Sequence, residues 1–351
     1  MSVATQQQEF RGAAAYVVPP ASRLLRRSTW LEFALVFQAM VWLFSPAWRL
    51  EPLAWMIVGI SVPITAWLVV RRVVVKLLLR SPESGDGRLK DPRWAPFRFA
   101  GWGGDVLTGH LLAADEEDAD LVLYLHGYGS SLRRGESRCQ HLSDQGLSVV
   151  SMNLRGHGTC GLRDEWTLLK IVADLEAMMA QLPDELNTLP DRVWIYGHSM
   201  GGFLAIRLGA HPSGWWADRL TGVMLESPAT SYPMAIERSV PKSLHFAMPW
   251  VRWVLRHEYE HIHPDLPVRY ATAAVPHIGL PTVPILVLQA ADDSRLGRKH
   301  HDLLAIHLAK HPSPSEVHLI VGHTHTSTKD TEKRKRLVEN WLNPSDAGVL
   351  I

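Results

Sequence analysis

The chain of 351 residues balances Lys+Arg 36 against Asp+Glu 35, a net charge of +1, and is 46% hydrophobic. That balance excludes the basic field needed to neutralise a nucleic-acid backbone, and the length suffices for one packed domain plus a further part. The 2 cysteines, Cys139 and Cys160, form no disulfide framework and fit no C-x-x-C metal or redox unit, which points to a reducing compartment.

After a tail over 1–28, residues 29–80 read as a membrane hairpin. The stretch PLAWMIVGISVPITAWLVV (52–70) has 19 residues without a charge, close to the ~20 that cross a bilayer core as a helix. Pro63 within it is tolerated in lipid, where neighbouring helices satisfy the freed carbonyl. The stretch WLEFALVFQAMVWLFSPAW (30–48) carries Glu32 and Gln38, so it reads either as a second span or as an amphipathic helix lying in the interface. The tryptophans gathered between residues 30 and 67 suit a membrane boundary. Arg11, Arg23, Arg26 and Arg27 precede the pair and Arg71, Arg72, Lys76 and Arg80 follow it. Lys and Arg stay on the cytoplasmic side, so both ends and everything beyond residue 80 are expected there.

The linker SPESGDGRLKDPRW, over 81–94, leads into a soluble domain, 95–351. Short apolar runs then alternate with amphipathic helical stretches, the pattern of an α/β domain with a mostly parallel sheet. DLVLYLHGYG (120–129) reads as a buried strand and glycine-rich turn, and LSVVSMNL as another strand, followed by the turn Arg155-Gly156-His157-Gly158. DRVWIYGHS turns at Gly197-His198-Ser199-Met200-Gly201 into the helical GGFLAIRLGAH. A serine at the apex of a strand–turn–helix, flanked by glycines that let the backbones approach, is a nucleophile elbow.

A hydroxyl nucleophile needs a base, an acid that orients the base, and donors for the oxyanion. VPILVLQA ends in Ala291-Asp292-Asp293, which puts an acid at the carboxyl end of a strand, and VHLIVGHTHTS ends with His323 and His325. The N–H of Met200 follows the nucleophile, and Tyr128 lies in the loop after the first core strand, so these two backbone amides are the candidate oxyanion hole. His126 and His157, in glycine-rich turns, are expected to bond backbone. His300, His301, His307 and His311 are expected on a solvated helix face, and the two cysteines as inert packing residues.

His257-Glu258-Tyr259-Glu260-His261 fits H-E-x-x-H, which on a helix puts two histidines on one face for zinc with the glutamate as general base. Pro264 ends that helix, no third ligand is evident, and the motif lies in 227–281, between two core strands. There MPWVRWVLRHEY and SYPMAIERSVPKSLHFAMPW supply the apolar side chains of a small helical cap and an expected apolar pocket over Ser199.

From about residue 95 to 343, LYLHGYGSS, NLRGHG, YGHSMGG, QAADD and VGHTHT occur in the order seen in the α/β-hydrolases. The chain resembles their lysophospholipase, monoacylglycerol lipase and serine aminopeptidase-like branch. The resemblance implies a Ser–Asp–His order of the triad, with Asp292 as acid and Asp293 as runner-up, and His325 as base with His323 as runner-up. Gln289 and Asn153 depart from the glycine and aspartate common there. The expected activity is membrane-tethered hydrolysis of carboxylic esters, a lipid or acylglycerol-like ester above all, through an acyl-enzyme on Ser199, with no metal or organic cofactor and no nucleic acid. Amide or thioester hydrolysis, a membrane-bound zinc peptidase on His257 and His261, and an inactive binding module are the alternatives.

Overall fold

The computed structural model describes residues 33–40, 52–78, 87–162, 167–262, 273–326 and 332–343. Eight strands form one sheet: β1 (Ala95–Ala100), β2 (Val106–Leu112), β3 (Leu121–Leu125), β4 (Ser148–Met152), β5 (Val193–His198), β6 (Leu220–Glu226), β7 (Ile285–Ala290) and β8 (Ser315–Ile320). Their order is β1-β2-β4-β3-β5-β6-β7-β8. β2 pairs antiparallel with β1 and β4, and every later pairing is parallel.

From residue 52 onward the described helices are α1 (Pro52–Leu78), α2 (Leu132–Asp144), α3 (Leu168–Gln181), α4 (Met200–Ala210), α5 (Tyr232–Ser239), α6 (Met248–Ile262), α7 (Val275–Ile278), α8 (Arg298–Leu308) and α9 (Glu332–Leu342). Strand β3, LVLYL, is apolar at every position because both faces of the sheet are covered. Leu121, Leu123 and Leu125 join the core beneath α3 and α4, whereas Val122 and Tyr124 point the other way, into the core shared with α2 and α9. Helix α3 begins at Thr167, whose hydroxyl accepts the N–H of Lys170 at 3.2 Å and so satisfies a first-turn donor. Arg155 of the R-G-H-G turn grips Asp174 through Nε at 2.7 Å and Nη2 at 2.8 Å, and reaches Asp105 at 2.7 Å through Nη1. This ties the loop after β4 to α3 and to the β1–β2 edge.

The expected hairpin is not supported: among the described residues no helix is long and apolar enough to cross a membrane. Of the first segment only 33–40 is described, as helix, and Glu32 lies outside the described residues. The second segment is helical, as the sequence suggests, but α1 continues past the uncharged run through Arg71 to Leu78. It leans on the cap. The ring of Trp67 stands edge-on to Trp250 at 5.4 Å and lies 5.9 Å from Trp253, while the Arg71 guanidinium sits 5.5 Å over the Trp253 ring.

The chain between β6 and β7 carries α5, a 3-10 turn over Lys242–Ala247, α6 and α7, and an isolated bridge pairs Ser231 with Ala274. His257, Glu258 and His261 fall in the last turns of α6, and their side chains lie outside the described residues. No cluster of three or more His, Cys, Asp or Glu suited to a metal occurs among the described residues.

Candidate active site

Parallel strands end together, so the loops leaving β3, β5, β6, β7 and β8 meet at one edge of the sheet. Ser199 follows β5 with φ 55 and ψ −116, a left-handed conformation in which a non-glycine residue is strained. Four backbone bonds hold it there: its N–H donates to the Glu226 carbonyl at 2.9 Å, and its carbonyl accepts from Gly202 (2.9 Å), Phe203 (3.3 Å) and Ala229 (2.9 Å). The glycines on either side are sterically required. A Cβ at Gly201 would overlap the Leu125 carbonyl, and one at Gly197 would overlap the Gly201 carbonyl.

The Ser199 hydroxyl donates to His325 Nε2 at 2.8 Å, and His325 Nδ1 donates to Asp293 Oδ2 at 2.7 Å. All three side chains are removed from bulk water, Ser199 at 8% and His325 at 5% residual exposure. The carboxylate that meets His325 is therefore Asp293 and not the expected Asp292, which is exposed and has no bond to His325. The reason is ladder register: the Ala291 N–H still donates to the Ile320 carbonyl at 3.1 Å, so β7 pairs with β8 one residue beyond its last strand residue and the turn starts later. Asp293 then closes the turn on itself, its Oδ1 accepting the N–H groups of Arg295 (3.0 Å) and Leu296 (2.8 Å). Gln289, where the resembling family has glycine, adds a bond from Nε2 to Asp293 Oδ2 at 3.3 Å. Burial pushes the Asp293 carboxyl up, but the hydrogen bond and charge of His325 and the two turn amides outweigh it and hold the pKa at about 2.

His323 lies elsewhere. Its Nε2 donates to Glu226 Oε1 at 3.2 Å, in the interior behind the elbow. Two histidines two residues apart would face the same way in an extended segment, but here β8 ends at Ile320, Gly322 takes φ +77 and both histidines lie beyond the strand, where the two imidazoles meet different carboxylates.

Glu226 belongs to a buried group that periodicity in the sequence does not announce. Arg138 donates to both of its oxygens at 2.6 and 2.8 Å, Tyr196 Oη donates at 2.7 Å, and Arg334 lies 3.6 Å away. Burial raises the Glu226 pKa, yet the Arg138 charge and its paired bonds keep it well below the usual carboxylate range. The only sequence signals were charged residues set inside otherwise apolar segments, Glu226 at the end of β6 among them.

The remaining loops are braced by histidines bonded to backbone. His198 Nε2 donates to the His325 carbonyl at 2.8 Å, and burial lowers its pKa to about 4. His126 Nδ1 donates to the Gly127 carbonyl at 2.9 Å while its Nε2 accepts the Leu154 N–H at 3.0 Å, and burial takes its pKa to about 3. His157 Nδ1 donates to the Arg155 carbonyl at 2.9 Å. His300 is not on a solvated face. It is 2% exposed, its Nδ1 accepts the Thr230 N–H at 2.9 Å, and burial lowers its pKa to about 4.

Tyr128 lines the cleft beside Ser199, and a Cβ on its neighbour Gly127 would stand 3.0 Å from Ser199 Cβ, so this loop lies against Ser199. Met200 is the first residue of α4, where a helix offers its amide no internal acceptor. The cleft walls are polar where the sequence suggested an apolar pocket: Ser130, Arg134, Arg295 and Thr326 line it with Tyr128 and Ser199.

The family described as Serine aminopeptidase, S33 (Hydrolase_4) matches residues 116–275. A monoacylglycerol lipase of Mycolicibacterium smegmatis is 30% identical over 138 residues, covering 38% of this chain and 46% of that protein. A putative monoglyceride lipase of Schizosaccharomyces pombe is 29% identical over 132 residues, 35% of this chain and 33% of that protein. The chain thus spans less than half of either lipase. The esterase Pf2001 of Pyrococcus furiosus superposes with a TM-score of 0.53 at 18% identity, covering 76% of this chain and 96% of that one. At that identity the likeness establishes the α/β-hydrolase fold.

Proposed function

We propose that this α/β-hydrolase-fold chain hydrolyses carboxylic esters through an acyl-enzyme on Ser199, with acylglycerol-like esters as the leading substrate class. The observation that carries the reading is the unbroken relay from Ser199 Oγ through His325 to Asp293, at 2.8 and 2.7 Å. His325 Nε2 takes the hydroxyl proton as Oγ attacks the ester carbonyl, and Asp293 stabilises the imidazolium and keeps its tautomer. The amides of Met200 and Tyr128 receive the oxyanion, each worth roughly 3 kcal/mol in the transition state. Collapse expels the alcohol, which takes the proton from His325, and water repeats the cycle to release the acid. The same machinery serves amides and thioesters, and the lipase relatives favour esters.

Labelling by a fluorophosphonate probe tests this directly. Labelling of the wild type that is lost in Ser199→Ala and unaffected by EDTA supports the reading, and a folded wild type that does not label overturns it, moving attention to the zinc motif at His257 and His261.

Tethering at a membrane, with the catalytic edge in the cytoplasm, is the second part of the proposal. It rests on the uncharged run 52–70 and the Lys and Arg that bracket residues 29–80. Resistance of the full chain to carbonate extraction, with reporters at residues 50 and 85 on opposite sides, is the expected result. Release by carbonate overturns it.

A further inference from the structure

The cleft over Ser199 carries an excess of positive charge that the triad does not use. Three arginines line it, Arg134, Arg138 and Arg295, and among the described residues no aspartate or glutamate does. Arg138 is committed to Glu226 through two bonds, but Arg134 and Arg295 are exposed, and neither has a carboxylate partner among the described residues. The contrast with Arg133 is informative: one residue earlier, it closes on Glu136 at 2.8 Å.

Both free guanidinium groups stand on braced backbone. Arg295 follows the triad acid in the turn, its N–H bound by Asp293 Oδ1 at 3.0 Å and its carbonyl held by Arg238 Nε at 2.7 Å, while Arg238 Nη2 holds the adjacent Ser294 carbonyl at 2.8 Å. Tyr128 lines the same cleft, and the positive charge of Arg295 acts on its phenol. Arg134 lies in the first turn of α2, whose start is fixed by the Leu132 N–H on Asn153 Oδ1 at 2.9 Å and by its own N–H on the Ser131 carbonyl at 3.1 Å. Two planar five-donor groups on anchored backbone, with Ser130 and Thr326 lining the same cleft, offer the donors that a carboxylate or a phosphate needs.

Resting on the hydrolase reading above, we propose that Arg134 and Arg295 select esters bearing an anionic group, a carboxylate or a phosphate ester, held at the mouth of the cleft while the ester carbonyl reaches Ser199. They are specificity residues and take no part in proton transfer.

Two matched pairs test this with the full chain: 4-nitrophenyl butyrate against the mono-4-nitrophenyl ester of succinic acid, and a 1-acylglycerol against the same 1-acylglycerol 3-phosphate. The wild type is expected to show the higher kcat/KM for the anionic member of at least one pair, with a KM that rises as salt is added. The pair that shows it identifies carboxylate or phosphate as the recognised group. In Arg134→Ala and Arg295→Ala the anionic-to-neutral ratio is expected to fall by about tenfold, as for loss of a charge-assisted hydrogen bond, with part of it restored in Arg134→Lys and Arg295→Lys. The salt dependence of the wild type reads the same interaction without any variant. A protein that labels with fluorophosphonate and hydrolyses both members of both pairs without preference overturns the anion selection and leaves the hydrolase reading standing. Variants that lower both members equally also overturn it. A protein that neither labels nor hydrolyses any of the four esters overturns the hydrolase reading, and the selection with it.

Discussion

The carbonyl of Glu226 accepts the Ser199 N–H at 2.9 Å while the carboxylate of the same residue is clamped by Arg138 at 2.6 and 2.8 Å. One residue at the end of β6 thus joins the strained elbow to a charge cluster in the interior. The pair is 0% and 4% exposed, and at such burial each ion depends on the other for its solvation.

Arg138→Ala is expected to destabilise the fold by about 3–5 kcal/mol, since it strands the Glu226 carboxylate. Arg138→Ala combined with Glu226→Gln should cost clearly less than the sum of those two single changes, because the double change removes both charges. Urea unfolding of the four proteins checks this, and additive costs would mean that the two charges do not depend on one another.

Assignment of the acid is decided by paired substitutions. Asp293→Asn is expected to lower kcat by roughly 10³–10⁴-fold by disturbing the His325 tautomer, and Asp292→Asn to leave it within about twofold. His325→Ala should abolish turnover, whereas His323→Ala should act on stability, leaving Glu226 short of a donor. Steady-state kinetics on one ester, with thermal unfolding alongside, separates these effects. Equal losses for both aspartates would contradict the observed turn.

Acid is expected to weaken the fold in two stages. His126, His198 and His300 are buried neutral, with pKa values lowered by burial to about 3, 4 and 4. Between the unfolded value near 6.5 and about 4 the unfolded chain binds protons that the folded chain does not, so stability falls as pH falls, by up to about 1.4 kcal/mol per unit for each imidazole. Asp293 acts lower down: its folded pKa is depressed to about 2, so its contribution is complete above the unfolded value near 4 and is lost as pH drops through 2. Unfolding free energies measured from pH 7 to pH 4 should decline throughout, and a flat profile there would show that the three imidazoles titrate alike in both states.

Gly201→Ala should cost both folding and activity, because the new Cβ meets the Leu125 carbonyl, a backbone group with no room to yield. Gly103→Ala, where the added atom meets nothing within 4 Å, pays only for its positive φ of 72. Thermal melts of the two variants should differ widely, and equal melts would mean that the β3–α4 contact can relax.

Local pattern carried much of this molecule. The alternation of apolar runs and amphipathic stretches, the glycines around Ser199 and the histidines after β8 are short-range features, and they were enough to locate the sheet, the elbow and the chain order of the site. What they left open was decided by long-range contacts. Asp293 rather than Asp292 meets His325 because β7 and β8 pair one residue further, and His323 goes to Glu226 because β8 ends at Ile320 and the chain turns at Gly322, so the two histidines do not lie in an extended segment. Spacing counts residues along one strand, while the direction in which a side chain leaves a turn depends on a neighbouring strand far away in sequence. The Glu226 cluster has the same origin: Arg138, Tyr196, His323 and Arg334 come from four separate elements or their loops and acquire meaning only when the sheet and α9 bring them to one carboxylate. The sequence by itself determined an α/β sheet with a serine in a tight turn at its edge; tertiary structure buried that serine, decided which carboxylate meets His325, and left Arg134 and Arg295 without a carboxylate partner among the described residues.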